Sequence, residues 1–494
     1  MVRKILVIGS GAEACLAAVM LKTRLAGVQV TLLADEADDT LPLSITLFGA
    51  VLQKALKPHR ASLFAATHPA FSLGTRYLAG KRGEFHLPLV NMPVEGTAAT
   101  LSKAPGYYYG ENDFDARDAL SAAMSRNRLF FTQGPGIPLP KIHDGVAYSF
   151  DNHLLLKYLR EMAQSAGVNL VRENINQITT AENDVKEIRL QSGTMLTADL
   201  YIDATATASK LLGRLLQEPF MEVPAQLPCD RVIEVRIPRA GAPLKPYHTC
   251  QAKAAGWSCQ TELTSHVIHA DIYSSKFITD DAALAAFGET HRTMEGSPTL
   301  RHLRCGRYAR RWVGNVVAAG AAACEPGPLQ VTLDTTVQHV STLIETLLES
   351  ELEPTPTQIS ALNDHHSRHF DSICGYLAIL HKFSDRMQTP FWHWCREHVD
   401  LGTAQTIVDF FQENGPTAYW GLILIDSVDP HGVSAYMSLL QGLNVPFRRT
   451  FKPNPRESAL WQDICRQNLA AAASAMTPDQ VMAAISSPQW KWNA

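Results

Sequence analysis

The sequence predicts an α/β (α+β) protein: a Rossmann-like domain at the start, a β-rich middle and a helical C-terminal part. Three observations carry this. A buried-strand pattern, Lys4 to Ile8, enters a Gly9-Ser10-Gly11 turn, then a helix from Ala12 to Leu25 and a second strand from Val28 to Leu33. Alternating strand patterns dominate residues 228–276, among them Arg231 to Pro238 and Ser265 to Tyr273. From Leu333 the pattern turns helical. The expected domains are therefore 1–332, the Rossmann-like domain with the β segment, and 333–494, a helical subdomain packed on it. Apolar faces that include Leu343, Ile344, Leu347, Ile379 and Leu380 need such a partner surface.

Taken in order, residues 36–145 read as less regular, with turn clusters near Leu41 to Leu43 and Gly134 to Pro138. Asn152 to Ala166 is an amphipathic helix that stops at Gly167. Val168 to Val171, Ile175 to Thr179 and Val185 to Leu190 read as strands, and Leu200 to Ile202 as a short buried one stopped by Asp203. Trp312 to Ala319 reads as one apolar strand. Thr335 to Glu349, Gln358 to Lys382 and Ala404 to Gln412 read as helices, with Glu351 to Thr357 linking the first two.

At 494 residues the chain exceeds one compact core. It is 46% hydrophobic and 19% charged, ordinary for a soluble protein. A net charge of -4 offers no basic field to nucleic acid or an anionic membrane. The 9 cysteines show no C-x-x-C pair and no zinc spacing, which points to reduced thiols in a cytoplasmic protein. The first apolar run breaks at Gly9, too soon for a signal peptide, and no apolar stretch approaches the ~18 residues of a spanning helix.

Gly9-Ser10-Gly11-Ala12-Glu13-Ala14 is a G-x-G-x-x-A motif between strand and helix. Gly9 permits the tight turn, Gly11 lets backbone approach a pyrophosphate, and Ala14 lets helix and strand pack closely. Asp35 or Glu36, just past the second strand, is the candidate partner for the ribose. Ala198 to Ala206 is a strand ending in Asp203 beside a small-residue turn, the way FAD folds present a carboxylate to the flavin side. Together the two signals point to FAD rather than NAD alone.

Further segments occur in one order along the chain: Tyr148 to Asp151, Ala198 to Ser209, Leu227 to Arg231, Ala255 to Trp257, Asp271 to Ile278, Arg311 to Gly320, Thr389 to Trp392, and Leu439 to Gly442. With these the chain resembles the flavin-dependent tryptophan halogenase family over nearly its whole length. The resemblance implies an FAD-binding domain of the PHBH-like flavoprotein type with a helical pyramid. It also implies reduced FAD supplied by a separate flavin reductase, and an aromatic, indole-like substrate. In that family hypohalous acid crosses a tunnel to the substrate, where a Lys steers it and a Glu assists the attack. A homodimer is compatible with the resemblance. Gly320 falls among the cofactor-binding residues, and His86 and Trp392 among those beside the substrate.

The departures are specific. The family's F-K-x-G-I-x-F motif is matched by Phe71 to Tyr77, with Ser72 at the lysine. Its P-L-E-S-T is matched by Pro328 to Thr332, with Gln330 at the glutamate and Leu333 where a glycine helps hold halide. A serine hydroxyl cannot act as an ammonium, and an amide cannot take a proton at neutral pH. Of a W-x-W-x-I-P signature only Trp257 remains, with Cys259 at the second tryptophan. The flavin strap G-x-G-E has no match near Asp39 to Leu47, so weak FAD binding is expected. Lys81 reads as a solvated loop lysine, and His365, His366 and His369 as a solvated helix face rather than a metal site. The preferred reading is an FAD-dependent, monooxygenase-like oxidoreductase without useful halogenation of free tryptophan. A halogenase using other residues and a non-catalytic homologue remain open.

Overall fold

The computed structural model describes residues 1–34, 42–57, 60–81, 83–89, 114–132, 139–142, 145–292, 295–329, 332–417, 420–449 and 451–492. The fold class is the expected α/β one. Contacts group the chain into two interleaved units, Met1–His68 with Phe150–Val223 and Leu303–Phe370, and Pro69–Ser149 with Pro224–His302 and Asp371–Ala494. The division at 332/333 separates sheet-rich from helical sequence; the grouping by contacts runs across it.

In the first unit, β1 (Lys4–Ile8) lies between β2 (Gln29–Ala34) and the strand Leu200–Asp203, parallel to both. Asn169–Arg172 extends the sheet beyond β2, and Val316–Ala318 extends it beyond Leu200–Asp203. Ile5, Leu6, Val7 and Ile8 are all buried, because a parallel sheet is covered on both faces. Leu6 and Ile8 join Leu33, Tyr201 and Leu211 in a core with Val185, Ile188 and Leu190 of a small antiparallel sheet. The helix α1 (Ala12–Arg24) packs with the helices Asn152–Ser165 and Thr332–Glu349.

One reading of this unit is corrected. Trp312 to Ala319 is not one strand but a hairpin of Trp312–Val313 and Val316–Ala318. Gly314 turns at φ +56, and a Cβ there would lie 2.2 Å from the Asn183 carbonyl oxygen. Asn315 completes the turn, accepting from the Val185 amide and donating to its carbonyl, both at 2.8 Å. Apolar composition hid a turn whose partners are about 130 residues away in sequence, a separation that local patterning does not register.

The second unit is built on a seven-stranded sheet in the order Glu295–His302, Arg231–Pro238, His266–Tyr273, Gly256–Glu262, Tyr247–Lys253, Gly74–Gly80, Gly83–Pro88. Neighbours are antiparallel except Tyr247–Lys253 and Gly74–Gly80. The stretch read as less regular thus contributes the strands Ala70–Ser72, Gly74–Gly80 and Gly83–Pro88. Glycines at their ends and Pro88 interrupt the alternation that marks a strand. The helix Gly432–Gly442 crosses the last strand closely: a Cβ on Gly442 would come within 2.4 Å of the Phe85 ring. Among the described residues no helix is long and apolar enough to cross a membrane.

Candidate active site

Gly9 adopts φ +147, and a Cβ on it would lie 2.2 Å from the Ala204 carbonyl oxygen and 2.9 Å from the Ala14 Cβ. The turn therefore closes only without a side chain, and Ala14 sits at the close approach of helix and strand. Gly11 is the N-cap of α1 and supplies no side-chain cap. No side chain caps the first amide groups of α1, and the helix dipole favours an anion at that end. Arg160 donates from Nη2 to the Ser10 carbonyl at 3.0 Å and adds a fixed cation beside the turn. These features suit a pyrophosphate. Asp203 is fully buried at the end of its strand. Its carboxylate accepts from the Thr205 hydroxyl at 2.6 Å and from the Leu211 and Leu212 amides at 2.7 and 2.9 Å. Its oxygens thus hold the following turn in place.

Glu13, in the first turn of α1, carries the opposite tendency. Its carboxylate accepts from the Ala321 amide and from the Thr336 hydroxyl, at 3.2 and 3.0 Å respectively. Gly320 makes this possible: at φ +62, a Cβ there would lie 2.5 Å from the Glu13 carboxyl carbon. Burial outweighs the hydrogen bonds and raises the Glu13 pKa to about 7. Asp334 is raised to about 7 by the same cause, with one oxygen accepting from the Phe48 amide at 3.2 Å.

Behind Gly320 lies a histidine relay. The Gly320 amide donates to His339 Nδ1 at 3.2 Å, so His339 carries its proton on Nε2 and donates to His366 Nδ1 at 3.1 Å. His366 Nε2 has no hydrogen-bond partner among the described residues. His366 and His369 are buried, which corrects the reading of a solvated helix face; His366 meets His339 of the helix Thr332–Glu349, a partner that the spacing alone did not reveal. The Cys324 thiol lies near the same pair. The relay engages both nitrogens of His339, so a metal ion there would have to break it.

In the second unit, the Ser72 hydroxyl is buried and donates to the Gly74 carbonyl at 3.1 Å. Gly74 opens the strand that pairs with that of His86, Arg76 standing opposite His86. His86 is almost wholly buried and doubly held by Asp115. Its amide donates to one carboxylate oxygen at 3.0 Å and its Nδ1 to the other at 2.9 Å. Arg117 donates to the His86 carbonyl at 3.0 Å and stacks over Phe114 at 4.0 Å. With Nδ1–H committed, a neutral His86 presents Nε2 as its basic nitrogen. The Tyr247 ring meets the imidazole edge-on at 5.2 Å.

Trp392 lies elsewhere in this unit. It is wholly buried, donates to the Lys253 carbonyl at 2.7 Å and packs edge-on to Trp257 at 5.1 Å. Trp257 in turn donates to His381 Nε2 at 3.1 Å, and burial lowers the His381 pKa to about 4. Lys81 is exposed and pairs with Asp385 at 3.6 Å. Asp35, Glu36 and Gln330 lie outside the described residues. Asp115, Arg160, Glu13 and Asp334 were not picked out from the sequence. Only Glu13 gave a local signal, an acid inside the G-x-G-x-x-A motif.

A profile of the family described as tryptophan halogenase matches residues 4–450. The tryptophan 7-halogenase RebH of Lentzea aerocolonigenes is 28% identical over 258 residues, 51% of this chain and 48% of that protein. The tryptophan 6-halogenase ThaL of Streptomyces albogriseolus is 27% identical over 273 residues, 53% and 50% of the two chains. The matched region thus spans about half the length of these curated relatives. Among solved structures, MibH, a lathipeptide tryptophan 5-halogenase, superposes with a TM-score of 0.85 at 23% identity, over 98% of this chain and 93% of its own. BrvH, a flavin-dependent halogenase from Brevundimonas sp. BAL3, gives 0.84 at 18% identity, over 98% and 99%.

Proposed function

The chain belongs to the tryptophan halogenase family, and on that premise we propose that it is an FAD-dependent oxidoreductase acting on an electron-rich, indole-like aromatic, without halogenating free tryptophan. The observation that carries the reading is the buried His86 held by Asp115. It is a positioned base in a region where the family's lysine is replaced by Ser72. His86 Nε2 accepts a hydrogen bond from a substrate ring N–H or O–H, which raises electron density on the ring carbons, and takes that proton as the ring gains positive charge on oxidation. Asp115 holds the imidazolium that results and keeps its ring in one orientation. Ser72 is turned to its own backbone and offers no amine to carry an electrophile.

Gly9, Gly11, Ala14 and Arg160 would hold FAD by its pyrophosphate at the start of α1. When bound in reduced form, supplied by a separate flavin reductase, FAD would provide the electrons for oxygen activation. Glu13 makes that binding weak, because its carboxylate sits in the same first turn and is ionised above pH about 7.

The test is a titration of the purified chain with oxidised and reduced FAD. The expected affinity is micromolar or poorer, about -8 kcal/mol or less favourable. It weakens as pH rises through about 7, since Glu13 then becomes an anion beside an anion. Glu13→Gln tightens binding by about tenfold at pH 8 and flattens the pH dependence, a change of about 1.4 kcal/mol. A Gly11→Val variant that binds as wild type would remove the site, and copurification of stoichiometric, tightly held FAD would remove the weakness.

A further inference from the structure

The strands Tyr247–Lys253 and Gly256–Glu262 form an antiparallel pair in which Cys250 stands directly opposite Cys259. Opposite residues of such a pair share one face of the sheet. The two Sγ atoms are 3.0 Å apart. A disulfide needs about 2.05 Å, so closing the gap takes an approach of roughly 1 Å, within reach of small side-chain rotations. Both thiols are reduced; Cys250 is buried and Cys259 partly exposed. The second strand also carries Trp257, two residues from Cys259, and so the hydrogen bond to His381. Cys259 stands where the family signature has its second tryptophan, so the thiol pair occupies a position that the resemblance assigns to a bulky ring.

From this geometry we infer that Cys250 and Cys259 are an oxidative modification site, closed by hydrogen peroxide into a cross-strand disulfide. One thiol sulfur takes an oxygen from peroxide and becomes a sulfenic acid, releasing one water. The opposite thiol sulfur then displaces the hydroxyl, which leaves as a second water with the proton of that thiol. The sulfur–sulfur bond forms, two thiols lose two electrons in all, and one peroxide is reduced to two waters. The second step is fast because the partner sulfur is already in contact. At Cys259, the more exposed of the two, the first is slow at neutral pH. The hydrogen bond to Cys250, and then burial, hold the Cys259 thiol well above the usual range, and the thiolate is the reactive form. Oxidation therefore accelerates as pH rises, and the bridge fixes the register of the hairpin that carries Trp257.

The experiment uses the full chain. It is treated with dilute hydrogen peroxide at pH 7 and at pH 9, quenched, blocked with N-ethylmaleimide and digested with trypsin. Lys253 lies between the two cysteines, so the reduced protein yields two separate alkylated peptides. The oxidised protein is expected to yield the two peptides joined, separated again by dithiothreitol, and formed at least tenfold faster at pH 9. Cys250→Ser and Cys259→Ser each abolish the joined species and leave one thiol that dimedone traps as sulfenic acid. Four results would overturn the inference: both peptides fully alkylated after peroxide, stable over-oxidation without a link, a link to a third cysteine, or a rate that does not rise with pH.

Discussion

Replacing His86 by alanine is expected to lower turnover of an aromatic substrate by about 10²–10⁴-fold, the usual cost of removing a positioned base. The measurement is product formation by the purified chain with reductase-supplied reduced FAD and oxygen. Two properties give His86 this weight. It is buried, so solvent does not readily substitute for it, and Asp115 fixes which nitrogen is basic. Asp115→Asn keeps the shape of the contact but removes the negative charge that holds an imidazolium. It is expected to cost about 10- to 100-fold, and more in the rate at saturating substrate than in KM. The two substitutions together should cost little more than His86→Ala alone, because they act through one group. Turnover that is unchanged in a folded His86→Ala variant would remove the base from the account. Thermal unfolding of each variant separates that outcome from collapse, since a buried ring deletion also leaves a cavity.

Replacing Gly9 by alanine is expected to destabilise the protein by about 2–5 kcal/mol, through overpacking and backbone strain together. The Cβ would lie 2.2 Å from the Ala204 carbonyl oxygen, and Ala204 cannot retreat easily because its amide donates to the Ile8 carbonyl at 2.9 Å. Moving either group breaks the junction of β1 with the strand that ends in Asp203. The same displacement would open the turn proposed to carry the FAD pyrophosphate, so FAD affinity should fall alongside stability. Denaturant unfolding reads the first effect and flavin titration the second. A Gly9→Ala protein as stable as wild type would mean that the turn is not closed in this way.

Much of the fold is legible in the sequence because it depends on local pattern. Lys4–Ile8 ends where its hydrophobic run ends, Arg231–Pro238 where its alternation ends, and α1 begins where glycine stops. What fails locally is what depends on distant partners. The Gly314-Asn315 turn is fixed by Asn183 and Val185, and an apolar run conceals it. The site is less legible for the same reason. Asp115 is 29 residues from His86, and no spacing rule links them. Glu13 acquires its partners only when Gly320 and Thr336 are brought to the start of α1. Cys250 and Cys259 become a pair only once the strand register is known. The loss of an amine at Ser72 was visible in the residue itself; that its hydroxyl is spent on Gly74 was not.

The mass of the product tests the central claim most directly. The purified chain is combined with FAD, a flavin reductase, NADH, oxygen and bromide or chloride. Tryptophan and a panel of indoles and phenols are supplied, and products are compared with a control lacking the protein. An FAD-dependent oxidation through His86 without the family's lysine predicts no halogenated tryptophan, and from an indole or phenol of the panel a product heavier by one oxygen that disappears with His86→Ala. Catalytic formation of halogenated tryptophan, absent from the control, would contradict the account, and so would the absence of any oxidised product across the panel.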